Sequence, residues 1–106
     1  MNRLLLTAVC ATLAASAPAV AGDAAAGKEK SKACVACHGA DGNSPAPEFP
    51  RIAGQHQDYL VKTLLAYKSG ARKDPIMAAQ AASLSRRDIE DLAAYYSQQR
   101  GLVTKY

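Results

Sequence analysis

Apolar residues recur with a helical period in two stretches of the chain. Leu60, Thr63, Leu64 and Tyr67 fall at i, i+3, i+4 and i+7, and Ile89, Leu92, Ala93 and Tyr96 repeat the same spacing. The first stretch predicts a helix from about Gln55 to Ser69, stopped by Gly70. The second predicts a helix opened by Ser85-Arg86-Arg87-Asp88, a capping box with Asp in place of Glu, and closed by Gly101. A third helix is expected after Asp23, which can cap Ala24-Ala25-Ala26, and it runs towards Cys34. Between these elements the loop Gly39 to Gly54 holds Pro45, Pro47 and Pro50. Asp74-Pro75 leads to Met77 and an alanine-rich turn or short helix. No segment alternates as a strand does, so the fold class is all-α.

One apolar run has no helical stripe. Leu4 to Ala15 follows the basic start Met1-Asn2-Arg3 and precedes Ala19-Val20-Ala21, an A-x-A cleavage site. The run is too short for a bilayer span, which needs roughly 20 residues. Residues 1–21 are therefore expected to be a secretory signal peptide, cut before Gly22, and the product to be periplasmic with no transmembrane segment. Cys10 leaves with the leader, since Val9 before it is not the small residue a lipoprotein cysteine requires.

Residues 22–106 then form one small domain, of a size that buries a modest core. Such domains usually add a staple. With Cys10 gone only Cys34 and Cys37 remain, so a disulfide framework is excluded. No Trp and a single Phe leave room for a large apolar cofactor. The formal net charge of +4 falls by one when Arg3 leaves. That permits an acidic protein partner but falls short of a nucleic-acid footprint.

The candidate chemistry is concentrated in Ser31 to Gly42, SKACVACHGADG. Three sites use Cys-x-x-Cys. A redox dithiol sits near a βαβ pattern, and this chain has no strand for one. A structural zinc site wants four ligands in spaced pairs; Cys34, Cys37, His38 and His56 lack that spacing. The third is a covalent haem, for which C-x-x-C-H is the attachment signature. Each cysteine adds across one vinyl group, and His38 presents its imidazole to the iron from one face. Such attachment occurs outside the cytoplasm in bacteria, in accord with the leader. A second axial ligand is commonly Met, and Met77 is the sole thioether left after the leader is lost. Its ordinary alternative is a core filler. His56 is a rival ligand, but its polar neighbours Gln55, Gln57 and Asp58 suggest a solvent-facing residue.

Helix, CVACH, proline loop, helix, Met, helix: in this order the chain resembles the class I cytochromes c. CVACHGADG, FPRIAGQHQDYLVKTLLAYKSGAR and DPIMAAQAASLSRRDIEDLAAYY read like one haem domain of cytochrome c4, and the bacterial c-553 and c5-like proteins are similar. The resemblance spans essentially all of residues 22–106. Cytochrome c4 carries two such domains and two haems, and this sequence has one CxxCH, so di-haem properties do not carry over. The resemblance implies a small helical fold wrapped around one covalent haem c. Cys34, Cys37, His38 and Met77 would hold the cofactor, with His38 and Met77 on the iron. Pro50 would accept a hydrogen bond from the imidazole of His38. Gly27 would let the terminal helices cross closely against Leu92 and Tyr95. Lys28, Lys30, Lys32, Arg72, Lys73, Arg86 and Arg87 are solvated or form a docking rim.

The function expected is electron carriage in the periplasm, not enzymatic catalysis, with redox proteins as partners, among them membrane-bound oxidases or reductases. Two alternatives stand beside it. One is an electron-accepting subunit of a dehydrogenase or oxidase complex. The other is a gas-binding or sensor haem protein, if Met77 does not ligate.

Overall fold

The computed structural model describes residues 7–12 and 21–103. Apart from Ala21 and residues 7–12, the expected leader lies outside the described residues. No strand occurs among the described residues, and no helix there is long and apolar enough to cross a membrane.

Five helices follow one another: α1 (Ala24–Lys30), α2 (Val35–His38), α3 (Gln57–Ser69), α4 (Pro75–Ala82) and α5 (Arg86–Ser97), with a 3-10 turn at Ser31–Ala33. Side chains start three of them. The Asp23 carboxylate accepts from Ala25 N and Ala26 N ahead of α1, and Asp74 accepts from Ile76 N and Met77 N ahead of α4. Ser85 and Asp88 form the reciprocal capping box of α5. Each satisfies donors that a helix start otherwise leaves unpaired. Gly70 ends α3 in the left-handed region at φ 83°, where a Cβ would be strained.

The terminal helices make the frame. α1 lies across α5, and Gly27 is the crossing point: a Cβ there would come within 2.0 Å of Asp91 O and 2.8 Å of Tyr95 Cβ. Glycine is what lets the two backbones meet. The expected crossing is therefore present, with Asp91 and Tyr95 at the contact and Leu92 in the core beside it. Asp91, almost wholly buried, joins both helices electrostatically. It accepts from Asp23 N at 2.8 Å and from Lys30 Nζ at 2.6 Å.

The core proper is small. Leu60, Leu92, Ala93, Tyr95 and Tyr96 cluster, with Cys34, Ile52, Val61, Leu64 and Leu84 packed against them. Of nine buried apolar side chains among the described residues, four are alanines. Alanine contributes little transfer free energy, against about 1.5–3 kcal/mol for a fully buried Leu or Ile. Such a core leaves apolar surface to be covered by something other than side chains.

Three boundaries differ from expectation. α3 starts at Gln57, two residues late, because His56 is extended at ψ 132°. α5 stops at Ser97, well before Gly101. The chain beyond it is drawn away by tertiary bonds, Gly54 N to Tyr96 O at 2.9 Å and Leu102 N to Ala53 O at 2.8 Å. Gly101 serves packing instead, with a notional Cβ 2.6 Å from that of Ala53. Met77 stands within the first turn of α4, so the short helix begins before it.

Candidate functional site

α2 is a single turn that, with Cys34 at its N-cap, carries the whole motif. His38 N donates to Cys34 O at 2.9 Å, and Cys37 N to the same carbonyl at 3.3 Å. This helical turn places Cys34 and Cys37 on one face, since residues three apart are neighbours. Gly39 ends it at φ 82°. Both thiols are free. Burial pushes the Cys34 thiol above its ordinary value, and the nearby Cys37 adds to this. Redox dithiols work through a thiol of lowered pKa, so Cys34 is poorly suited to that chemistry.

His38 is buried, and its Nδ1 lies 2.9 Å from Pro50 O. A carbonyl can only accept, so Nδ1 carries the proton and donates it. In the neutral ring this tautomer leaves the lone pair on Nε2, the form in which imidazole binds a metal. The bond expected of Pro50 is present, and it holds the ring in one orientation.

Two adjoining cavities, about 240 and 170 Å³, share His38, Pro50, Tyr67 and Met77 as walls. The smaller adds Cys34, Cys37, Phe49 and Ile76. The larger adds Leu60, Thr63 and Leu64 from α3 and Ile52 from the proline loop. Met77 reaches the cavities because Asp74 and Pro75 set where α4 begins; Met77 N bonds Asp74 Oδ1 at 3.0 Å. The structure thus brings Cys34, Cys37, His38 and Met77 to one place. His56, by contrast, is exposed and lines neither cavity. A wider depression of about 690 Å³ between Ala21, α3 and α5 has no thiol, imidazole or thioether on its walls.

The α3 stripe Leu60, Thr63, Leu64 and Tyr67 faces the cavity. Its helical period was legible; that it walls a ligand space was not. Arg51, Gln55 and Tyr59 at the mouth carry no sequence signal. Arg72, also there, has its guanidinium 5.0 Å from the Tyr67 ring centroid. Hydrogen bonding to Arg72 first, then to Thr63, with the Arg72 charge behind them, holds the Tyr59 hydroxyl below its ordinary pKa. Of the basic residues singled out from the sequence, Arg72 alone lines these cavities. Lys30 is engaged by Asp88 and Asp91, Lys32 by Glu29 and Arg86 by Glu90. The large apolar groups at the surface near the motif are Ile76, 60% exposed, and Val35, 38% exposed.

These residues fit a haem. The cavity is walled mainly by apolar groups and offers a lone pair at Nε2 of His38 and a thioether at Met77. Two thiols stand on one face of a helix at its edge. No group of three or more His, Cys, Asp or Glu side chains among the described residues is placed to hold a bare metal ion.

The comparisons agree with the geometry. The family model described as Cytochrome c matches residues 24–99. Cytochrome c4 of Pseudomonas aeruginosa is 45% identical over 100 residues, which cover 94% of this chain and 50% of that protein. Cytochrome c-554(548) of Halomonas halodenitrificans is 50% identical over 82 residues, covering 74% of this chain and 99% of that one. The crystal structure of reduced recombinant cytochrome c4 from Pseudomonas stutzeri superposes with a TM-score of 0.74 at 49% identity, over 78% of this chain and 48% of that one. The chain spans about half the length of the cytochrome c4 proteins it matches.

Proposed function

The chain belongs to the cytochrome c family and has the class I cytochrome c fold, and from that premise we propose that it is a periplasmic electron carrier with one covalent haem c. Cys34 and Cys37 would hold the ring through thioethers, and His38 and Met77 would ligate the iron. When bound, the haem supplies a one-electron ferrous/ferric couple. The chain's own residues set the conditions. Pro50 O holds the His38 imidazole by its Nδ1 proton, which orients the ring and makes Nε2 the better donor. Leu60, Leu64 and Ile52 line the cavity and exclude water, which favours a raised potential. The partners would be other redox proteins.

The observation that carries the proposal is the pairing of the CVACH turn, with its Nδ1–Pro50 bond, and Met77 around shared cavities. Export rests on the leader pattern in residues 1–21. A mass spectrum of the protein from the periplasm should give residues 22–106 plus one haem, retained through acid–acetone extraction. A potentiometric titration followed in the visible should show one n = 1 couple, and the ferrous form should not bind carbon monoxide. Loss of colour on extraction would overturn covalent attachment. Carbon monoxide binding would favour the gas-binding alternative.

A further inference from the structure

Among the described residues one buried side-chain polar atom lacks a hydrogen-bond partner, the Tyr96 hydroxyl. Tyr96 lies on α5 and is 3% exposed. Its ring is tightly held. A Cβ on Gly42 would come within 2.8 Å of its Cδ1, and the Tyr95 ring centroid is 5.1 Å away. Tyr95 donates its own hydroxyl to Ala40 O at 2.8 Å. Tyr96 packs in the cluster that Cys34 joins, and Ser31 and Cys34 lie beside its hydroxyl without a bond of acceptable geometry. Ser31 gives its proton to Lys28 O at 2.7 Å.

A buried hydroxyl with no partner has lost its water without compensation, which is destabilising. Phenylalanine would fill the same place without that cost. The neighbour whose chemistry changes on maturation is Cys34. In attachment its S–H adds across a vinyl C=C: the C–S bond forms, the π bond breaks, and the proton goes to the adjoining carbon, with no external oxidant. The sulfur then has no proton and can only accept.

We propose that the Tyr96 hydroxyl is a positioning residue that donates to the haem-bound sulfur of Cys34 and raises the reduction potential. The inference rests on the haem attachment proposed above. The positive end of the O–H dipole would point at an atom bonded to the ring edge. That favours the ferrous state, which carries one more electron, and hydrogen bonding around the cofactor is one of the protein's levers on potential.

The test is Tyr96→Phe in the holoprotein, with Tyr95→Phe and Ser31→Ala beside it. Tyr96→Phe should shift the ferrous/ferric equilibrium about threefold towards ferric, about 30 mV at 59 mV per tenfold for one electron. In the reduced wild type, proton NMR should show a slowly exchanging Tyr96 hydroxyl with cross-peaks to the Cys34 protons. Tyr95→Phe should lower Tm and leave the potential in place, and Ser31→Ala should leave the potential unchanged. An unchanged or higher potential in Tyr96→Phe overturns the proposal. So does an equal shift in either control, which would mean general loosening or a hydroxyl directed at Ser31. A wild-type mass lacking the haem overturns the attachment itself, whatever Tyr96 does.

Discussion

Met77 shows how one residue's role depends on its neighbours. Asp74 is extended at ψ 118° and caps α4, and Pro75 takes the first helical position, where its missing N–H costs nothing. The thioether therefore enters the cavity from a start point that two adjacent residues define. His56 is polar-flanked and exposed, so the two candidate ligands part company. Met77→Ala should abolish the weak red sulfur-to-iron band of the ferric protein, lower the potential and admit carbon monoxide. Soft sulfur prefers the softer ferrous state, hence the sign. His56→Ala should leave all three unchanged; optical spectra and potentiometry of the two variants check this. The reverse pattern would make the protein a bis-histidine cytochrome.

At the scale of elements, the helices announced in the sequence are those with a side-chain cap, as α1, a periodic stripe, as α3, or both, as α5. Ser85 and Asp88 start α5, and Ile89, Leu92, Ala93 and Tyr96 are all buried as their spacing requires. Ends were less legible. α1 gives way to a 3-10 turn, with Cys34 N reaching Ser31 O at 2.7 Å. That tightening delivers the CVACH turn to the core, and no propensity signals it. The α1–α5 crossing is the element contact most exposed to mutation. Gly27→Ala places a methyl against the Asp91 carbonyl, and backbone cannot yield as a flexible side chain does. Overpacking of this kind costs about 1–3 kcal/mol. Thermal unfolding of the holoprotein should show a clear drop in Tm, with the haem still covalently bound.

For the whole molecule, acid stability follows from the two aspartates that tie α1 to α5. Asp88 is held at about 2 by the Ser85 backbone N–H first and Lys30 next. Asp91 is lowered by Lys30 first and then by the Asp23 N–H. A carboxylate whose folded pKa is depressed stabilises fully above its unfolded value, roughly 3.9, and loses this as pH falls through the folded value. Tm should accordingly be level above about pH 5 and fall from about pH 4 towards pH 2. The Tm difference between wild type and Asp91→Asn should shrink over the same interval. A difference that stays constant down to pH 2 would show that Asp91 acts through shape alone.

Local chemistry determined much of this protein. The leader pattern, the CVACH turn, the caps at Asp23, Ser85 and Asp88, and the lone thioether of residues 22–106 are all short-range features, written in consecutive or helically spaced residues. Cys34, Cys37 and His38 need only one helical turn to face the same way, so their spacing sufficed. The Pro50 bond to His38 was anticipated through family resemblance and not through spacing, because the two lie twelve positions apart across a loop. Tertiary structure alone decided the rest. It turned the α3 stripe towards a cavity, put Arg72 over Tyr67 at the mouth, ended α5 at Ser97, and left the Tyr96 hydroxyl unpaired beside Cys34. Each of these depends on which helix face meets which, and that is settled by burying apolar surface between segments far apart in the chain. Periodicity tells that a face will be buried; only packing decides against what.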